Sequence, residues 1–183
     1  AHILSGAVIE DRALTELFPN WKESGAPLTT AVSKDEVYFL LSDRHSVQAP
    51  GWAVPKPMHN HGNYVVSVGN LCRWLGQQAE ELGVEIYPGF AAADLIVEDG
   101  VVKGVVTGDM GVDAAGNPKD SYMPGMELRA RYTLFAEGCR GHLGKRLISE
   151  YQLDSGKDPQ HYGIGIKELW DIDSAKHQQG PVM

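Results

Sequence analysis

Apolar side chains recur along this chain at two spacings, and the switches between them mark out short elements. Residues 2–9 form an apolar run that reads as a short strand or loop. Leu14, Leu17 and Phe18 then fall at helical intervals behind Asp11, a residue type suited to capping, and Pro19 stops that helix. The stretch 20–34 is interrupted by Gly25 and Pro27, after which 37–41 (VYFLL) has the β-branched, aromatic and aliphatic content of a strand. Pro50, Pro55 and Pro57 make 44–61 irregular, because each removes a backbone donor and restricts the residue before it. Residues 64–68 resume as a strand. Asn70 then stands where an N-cap belongs, ahead of Leu71, Leu75, Ala79 and Leu82, and Gly83 closes the helix.

Residues 84–87 and 91–97 read as strands, and Asp99-Gly100 between LIVE and VVKGVV predicts a two-residue hairpin turn. The Gly-, Asp- and Pro-rich stretch 108–125 has no periodicity and reads as a surface loop carrying a small hairpin. Residues 126–135 (MELRARYTLF) alternate and then turn fully apolar, as a strand entering a buried layer would. The turn AEGCRG follows, Leu143, Leu147, Ile148 and Tyr151 mark a helix, and 162–170 (YGIGIKELW) reads as a last strand. No internal repeat is present, and strand–helix units with hairpins give a fold class of α+β or α/β.

Composition narrows the function classes. The 183 residues carry 16 Lys+Arg against 24 Asp+Glu, a net charge of −8, with no run of five or more basic residues, so nucleic acid is not an expected partner. Two cysteines, Cys72 and Cys139, cannot make a disulfide framework, a four-thiolate zinc site or a four-cysteine iron–sulfur cluster, and fit a reducing compartment. No window reaches the roughly 18 apolar residues of a membrane span, and the first residues lack the basic-then-apolar order of a signal peptide. A chain starting at AHILSGAVIE without Met is expected to be an internal segment of a longer protein.

The segment 132–148 (YTLFAEGCRGHLGKRLI) holds the most chemistry: an apolar strand, Glu137, then Gly138 and Gly141 before a helix. Such a turn aims backbone N–H groups and the positive helix end at an anion of diphosphate type; equally, the glycines serve the turn geometry alone. The spacing G-x-x-G-x-x-G is neither the Walker pattern nor G-x-G-x-x-G. Glu137 is placed to accept backbone or ribose-type hydroxyl bonds rather than to move protons. The helix opening at 69–70 after a strand offers further amides, and Ala91, Ala92 and Ala93 could lie under a flat ring or simply sit at a tight helix–sheet crossing. His59 and His61 have no Cys or carboxylate at ligand spacing, which favours a polar turn over a metal site. Residues 45–58, apolar with Trp52 and a lone Lys56, suit a bilayer interface, the mouth of an apolar pocket, or an ordinary packed loop.

Six co-linear strings, HILSGAVI at 2–9, LFPNWKESGAPL at 17–28, HNHGNYVVSVGNLCRWL at 59–75, GVEIYPGFAAADLI at 83–96, TLFAEGCRGHLGKRL at 133–147 and YGIGIKELW at 162–170, resemble one family. It is the electron transfer flavoprotein–ubiquinone oxidoreductases, within the flavoproteins of the p-hydroxybenzoate hydroxylase fold. The resemblance implies part of a split, Rossmann-like FAD-binding domain with part of an inserted quinone-domain sheet. Residues 1–36 would follow a missing first βαβ unit, 37–68 would begin the quinone-domain sheet, 69–153 would return to the FAD domain, and 154–183 would re-enter the substrate domain.

Carried over residue by residue, the resemblance sets Glu137, Gly138 and Gly141 near the FAD pyrophosphate and ribityl chain, and Phe90 and Ala91 by the adenine. Ser5 and Gly6 would come near the flavin ring, and Ser67 to Asn70 near the ribityl or pyrophosphate. No residue is implied as a catalyst, since the cofactor carries the redox chemistry. The family's 4Fe-4S cluster takes its ligands from outside this chain, and no metal ligand is expected within it. Electron transfer flavoprotein and ubiquinone are the implied partners, with a peripheral location on a bacterial cytoplasmic or mitochondrial inner membrane through 45–58. The segment alone is expected to be inactive. Rival readings are an FAD enzyme of geranylgeranyl-reductase or aromatic-hydroxylase type and a non-enzymatic membrane-docking module.

Overall fold

The computed structural model describes residues 6–183. Ser5, with the rest of the 2–5 run, lies outside the described residues. In chain order the elements are β1 (Ala7–Ile9), α1 (Arg12–Leu17), β2 (Thr30–Ala31), β3 (Lys34–Asp35), β4 (Tyr38–Leu40), β5 (Ser46–Gln48), β6 (Tyr64–Val66), α2 (Val68–Glu81), β7 (Ala92–Glu98), β8 (Val101–Thr107), β9 (Met110–Val112), β10 (Pro118–Met123), β11 (Glu127–Arg129), α3 (His142–Tyr151) and β12 (Pro181–Val182). Helices and strands are mixed, and every strand pair among the described residues is antiparallel except β3 with β12. The chain divides into two compact units, one of residues up to Ile86 with Ile166–Met183, the other Tyr87–Gly165.

In the first unit β6 is the centre of a three-stranded sheet, with β1 and β2 on either side. Trp21, Ala26, Leu28, Val66, Leu71 and Trp74 form its core, with Leu14 and Phe18 of the α1 turn packed against them. Each core indole has a partner for its N–H, as a buried ring must: Trp21 donates to Thr15 Oγ1 at 2.9 Å and Trp74 to the Ser24 carbonyl at 3.1 Å. Phe18 meets Trp74 edge-on at 5.3 Å and Trp21 meets Tyr64 at 5.5 Å, contacts that add about 0.5–1.5 kcal/mol each beyond area burial.

α1 starts and stops where its sequence signals stand, although the Asp11 side chain makes no capping bond. The cap of α2 is Ser67, not Asn70: the Ser67 hydroxyl accepts the Asn70 amide at 3.4 Å, so Asn70 lies within the first turn. Gly83, at φ +88°, supplies the left-handed exit. Within the Pro-rich stretch, β5 ends before Pro50 and pairs with β4, and single 3-10 turns follow at Gly51–Ala53 and Lys56–Met58. The irregularity therefore begins at Pro50 rather than at 44. β12 runs parallel to β3, with Pro181 opposite Lys34 and Val182 opposite Asp35.

The second unit is built on β7 and β8, joined at Asp99-Gly100, with β11 on the far side of β8. Asp99 at φ 50° and Gly100 at φ 73° are both left-handed, which is what a two-residue turn matching strand twist requires. Leu95, Ile96 and Thr107 are buried here. The 108–125 excursion carries the small hairpin β9–β10. α3 packs on β7, with Leu143 2% exposed and Arg146 paired to Asp94.

Three strand readings need correction. Residues 84–87 and 162–170 contain no strand, and the strand in 126–135 is confined to β11. These segments have the composition of buried strands but no neighbouring backbone to pair with among the described residues, and a strand exists only through its ladder. Their side chains stand in solvent: Tyr132 is 87% exposed, Leu134 89%, Ile164 94% and Leu169 97%.

Candidate functional site

The strand–turn–helix corner of the second unit is set by backbone and side chain together. Gly138 has φ +78°, a conformation that L side chains rarely adopt, and nothing lies within 4 Å of where its Cβ would stand. It leaves open backbone at the turn, the condition for close approach of a flat or phosphorylated ligand. α3 follows, and here the sequence reading is revised. Two first-turn amides reserved by the pattern for an outside anion are used from within: Glu137 Oε2 accepts the Gly144 amide at 2.7 Å and Oε1 the Leu143 amide at 3.4 Å. His142 Nδ1 lies 3.3 Å from Glu137 Oε1. A carboxylate at a helix N-terminus is electrostatically favoured, so the chain supplies its own counter-charge to α3. Its acceptor role toward backbone was legible from the sequence; which backbone was not.

Phe90 and Ala91 enter β7 in the same unit. Phe90 is half-buried with its ring 6.0 Å from that of Tyr87, and the Ala91 carbonyl accepts the Gly108 amide at 2.9 Å. Asp94, just beyond, is held below the usual carboxylate range chiefly by the Leu95 amide at 2.7 Å, with Arg146 assisting. The β7 start and the α3 corner are thus linked through the Asp94–Arg146 pair.

The remaining assigned residues fall in the first unit. Gly6, at φ +87°, and Ser67 line one groove of about 480 Å³ with Val65, Val66, Glu168 and Leu169. Asn70 sits one turn into α2, exposed, with its side chain bonded to Arg73. Two features of this unit escaped the sequence reading. Lys167 Nζ donates to the Gly6 carbonyl at 2.7 Å and so closes one wall of the groove; the lone cation within an apolar run was the available signal. Asp35 accepts both the Asn60 amide at 2.7 Å and its side-chain nitrogen at 3.0 Å, which holds its carboxyl below the usual range. His59 bonds through Nε2 to the Val54 carbonyl at 3.0 Å, so the His59–His61 segment is a tethered turn.

Residues 45–58 and β4 enclose an apolar depression of about 400 Å³ lined by Val37, Phe39, Val47, Pro50, Val54 and Met58. Trp52 projects beside it, 89% exposed. Among the described residues no helix is long and apolar enough to cross a membrane.

Open glycine backbone beside a helix start, on a mixed α/β frame, is the kind of corner that nucleotide cofactors use. Residues 12–171 match the family described as FAD binding domain, which is most of the chain, and the chain belongs to that family. Over its whole length it is 68% identical to the electron transfer flavoprotein-ubiquinone oxidoreductase of Pseudomonas aeruginosa and 66% identical to the probable electron transfer flavoprotein-ubiquinone oxidoreductase of Acinetobacter baylyi. It is 51% identical to the mitochondrial enzyme of Bos taurus, so bacterial and mitochondrial forms both occur among its relatives. The chain spans 34%, 32% and 29% of those three proteins, about a third of each.

Proposed function

We propose that this chain is a segment of a membrane-peripheral flavoenzyme that passes electrons from reduced electron transfer flavoprotein, through an iron–sulfur cluster and FAD, to ubiquinone. The observation that carries this is the 68% identity maintained along the entire chain to a protein so named. The ligands of the 4Fe-4S cluster lie outside this chain. The chain then holds part of a split FAD domain and part of an inserted quinone-domain sheet.

The open backbone at Gly138 suits close approach of a flat, phosphorylated cofactor. FAD, when bound, supplies reversible electron transfer. The residues that would hold it are Gly138 at the pyrophosphate and ribityl chain, with Glu137 and Gly141 shaping the turn beside it, Phe90 and Ala91 by the adenine, Ser5 and Gly6 by the flavin ring, and Ser67 and Asn70 along the ribityl or pyrophosphate. The chain's part is to orient the cofactor and exclude water from it, so that no side chain here moves a proton in the reaction. The apolar depression beside Trp52 is the contact with the membrane surface and the quinone entrance, since an exposed indole beside Lys56 suits the headgroup layer.

The test is the full-length protein. It is expected to purify with flavin absorbance that bleaches when reduced electron transfer flavoprotein is added and recovers on addition of a soluble ubiquinone analogue. A full-length protein without flavin, or with flavin that the donor leaves oxidised, overturns the proposal. The isolated 183-residue chain is expected to lose FAD during gel filtration.

A further inference from the structure

We infer that Gly141 is glycine in order to admit the side chain of Glu137, and that Glu137 is a positioning residue which closes the N-terminus of α3 and keeps cofactor phosphates off the Leu143 and Gly144 amides. The second half rests on the flavin-binding reading; the first does not.

The two glycines of this turn answer to different constraints. Gly138 needs its left-handed φ of +78°, and its surroundings are open. Gly141 has φ −55° and ψ 137°, which any residue adopts, so backbone conformation does not explain it. Space does. A Cβ at Gly141 would stand 2.6 Å from Glu137 Oε2 and 2.8 Å from its Cδ, with the Glu137 Cβ nearer still, and these are its three nearest neighbours. They are backbone-proximal and hydrogen-bonded atoms, so they have little room to give. The carboxylate lies over Gly141 because it must reach the amides of Leu143 and Gly144. The N-cap residue itself provides no side-chain bond, which leaves Glu137 as the cap of α3. With one negative charge already seated there, a phosphate brought to the same amides would meet repulsion and no free donor. The cofactor is then left with the open Gly138 side of the turn.

Four full-length proteins decide this: wild type, Gly141→Ala, Glu137→Gly, and the double variant. Each is read by thermal midpoint and by FAD dissociation constant from flavin fluorescence. Gly141→Ala alone is expected to lower the midpoint by several degrees and to weaken FAD about tenfold. In the Glu137→Gly background the same substitution is expected to change both by less than twofold in affinity and by less than a degree. Equal costs in both backgrounds would overturn the inference, since Gly141 would then be small for the ligand's sake. Coupling in the midpoint with no flavin bound to any of the four would preserve the Gly141–Glu137 pairing and remove the cofactor reading. Glu137→Gln, which keeps the bulk and one acceptor oxygen for the Gly144 amide, is expected to retain the Gly141→Ala penalty in the midpoint; its disappearance there would also overturn the steric account.

Discussion

Leu143 holds α3 to its sheet, and its truncation measures how far the corner depends on packing. The side chain is 2% exposed, and Leu143→Ala removes three buried carbons at about 0.8 kcal/mol each, or about 2.4 kcal/mol of transfer free energy. The unfilled volume adds to this, and an expected cost of about 3 kcal/mol lies within the usual range for such truncations. Ile148, on the same helix but 37% exposed, is the internal control, and Ile148→Ala is expected to cost about 1 kcal/mol or less. Urea unfolding followed by far-UV circular dichroism reads both. Because the Leu143 amide also donates to Glu137 Oε1, loss of the anchor is expected to loosen the cap. A Leu143→Ala cost below about 1 kcal/mol, or one no larger than that of Ile148→Ala, would refute the view that burial of this residue fixes the corner.

Ser67→Ala is expected to destabilise α2 by about 1 kcal/mol, and Ser67→Asp to restore most of the loss, as read by thermal melts. Asp35 gives a pH signature. Its folded carboxyl titrates below the unfolded one because the Asn60 amide and side chain bond to the charged form, so its contribution is full above about pH 4 and lost as pH falls through the depressed value. The stability gap between wild type and Asp35→Asn is therefore expected to be wide at pH 6 and to narrow as pH falls below the ordinary carboxylate range; a gap independent of pH would remove the carboxylate from that role. In the full-length protein, Trp52→Ser is expected to weaken vesicle co-sedimentation about tenfold, the equivalent of about 1.4 kcal/mol of lost burial, and an unchanged partition would take 45–58 off the membrane.

What could be seen in the sequence was what local chemistry decides. Asp99-Gly100 named its turn because few residue pairs adopt two left-handed conformations in succession, and Gly83 and Pro19 ended their helices for equally local reasons. The Ser67 cap was misassigned to Asn70 because both residue types cap helices and they stand three apart, so position alone could not choose. The strands expected at 84–87 and 162–170, and the part of 126–135 beyond Arg129, are absent for a non-local reason. Apolar alternation records a wish to be buried, and the partner backbone that would grant it is not among the described residues. At the site, the G-x-x-G spacing is compatible with an anion site or with turn geometry alone, and it does not choose between them. That Glu137 stands seven residues before Gly144, within reach of the first turn of α3, was the overlooked clue.

The parallel pairing of β3 with β12 sets an order of events during synthesis. Ser33 and Gln179 bond across 146 positions, so one edge of the first unit waits for residues 179–182 to leave the ribosome, while every residue of the second unit has already emerged. Non-local pairing of this kind is slow to form, and the nascent chain carries Lys34 and Asp35 as an unclaimed ribbon until it does. The interval in which that ribbon is exposed is therefore where strand mispairing is expected during folding.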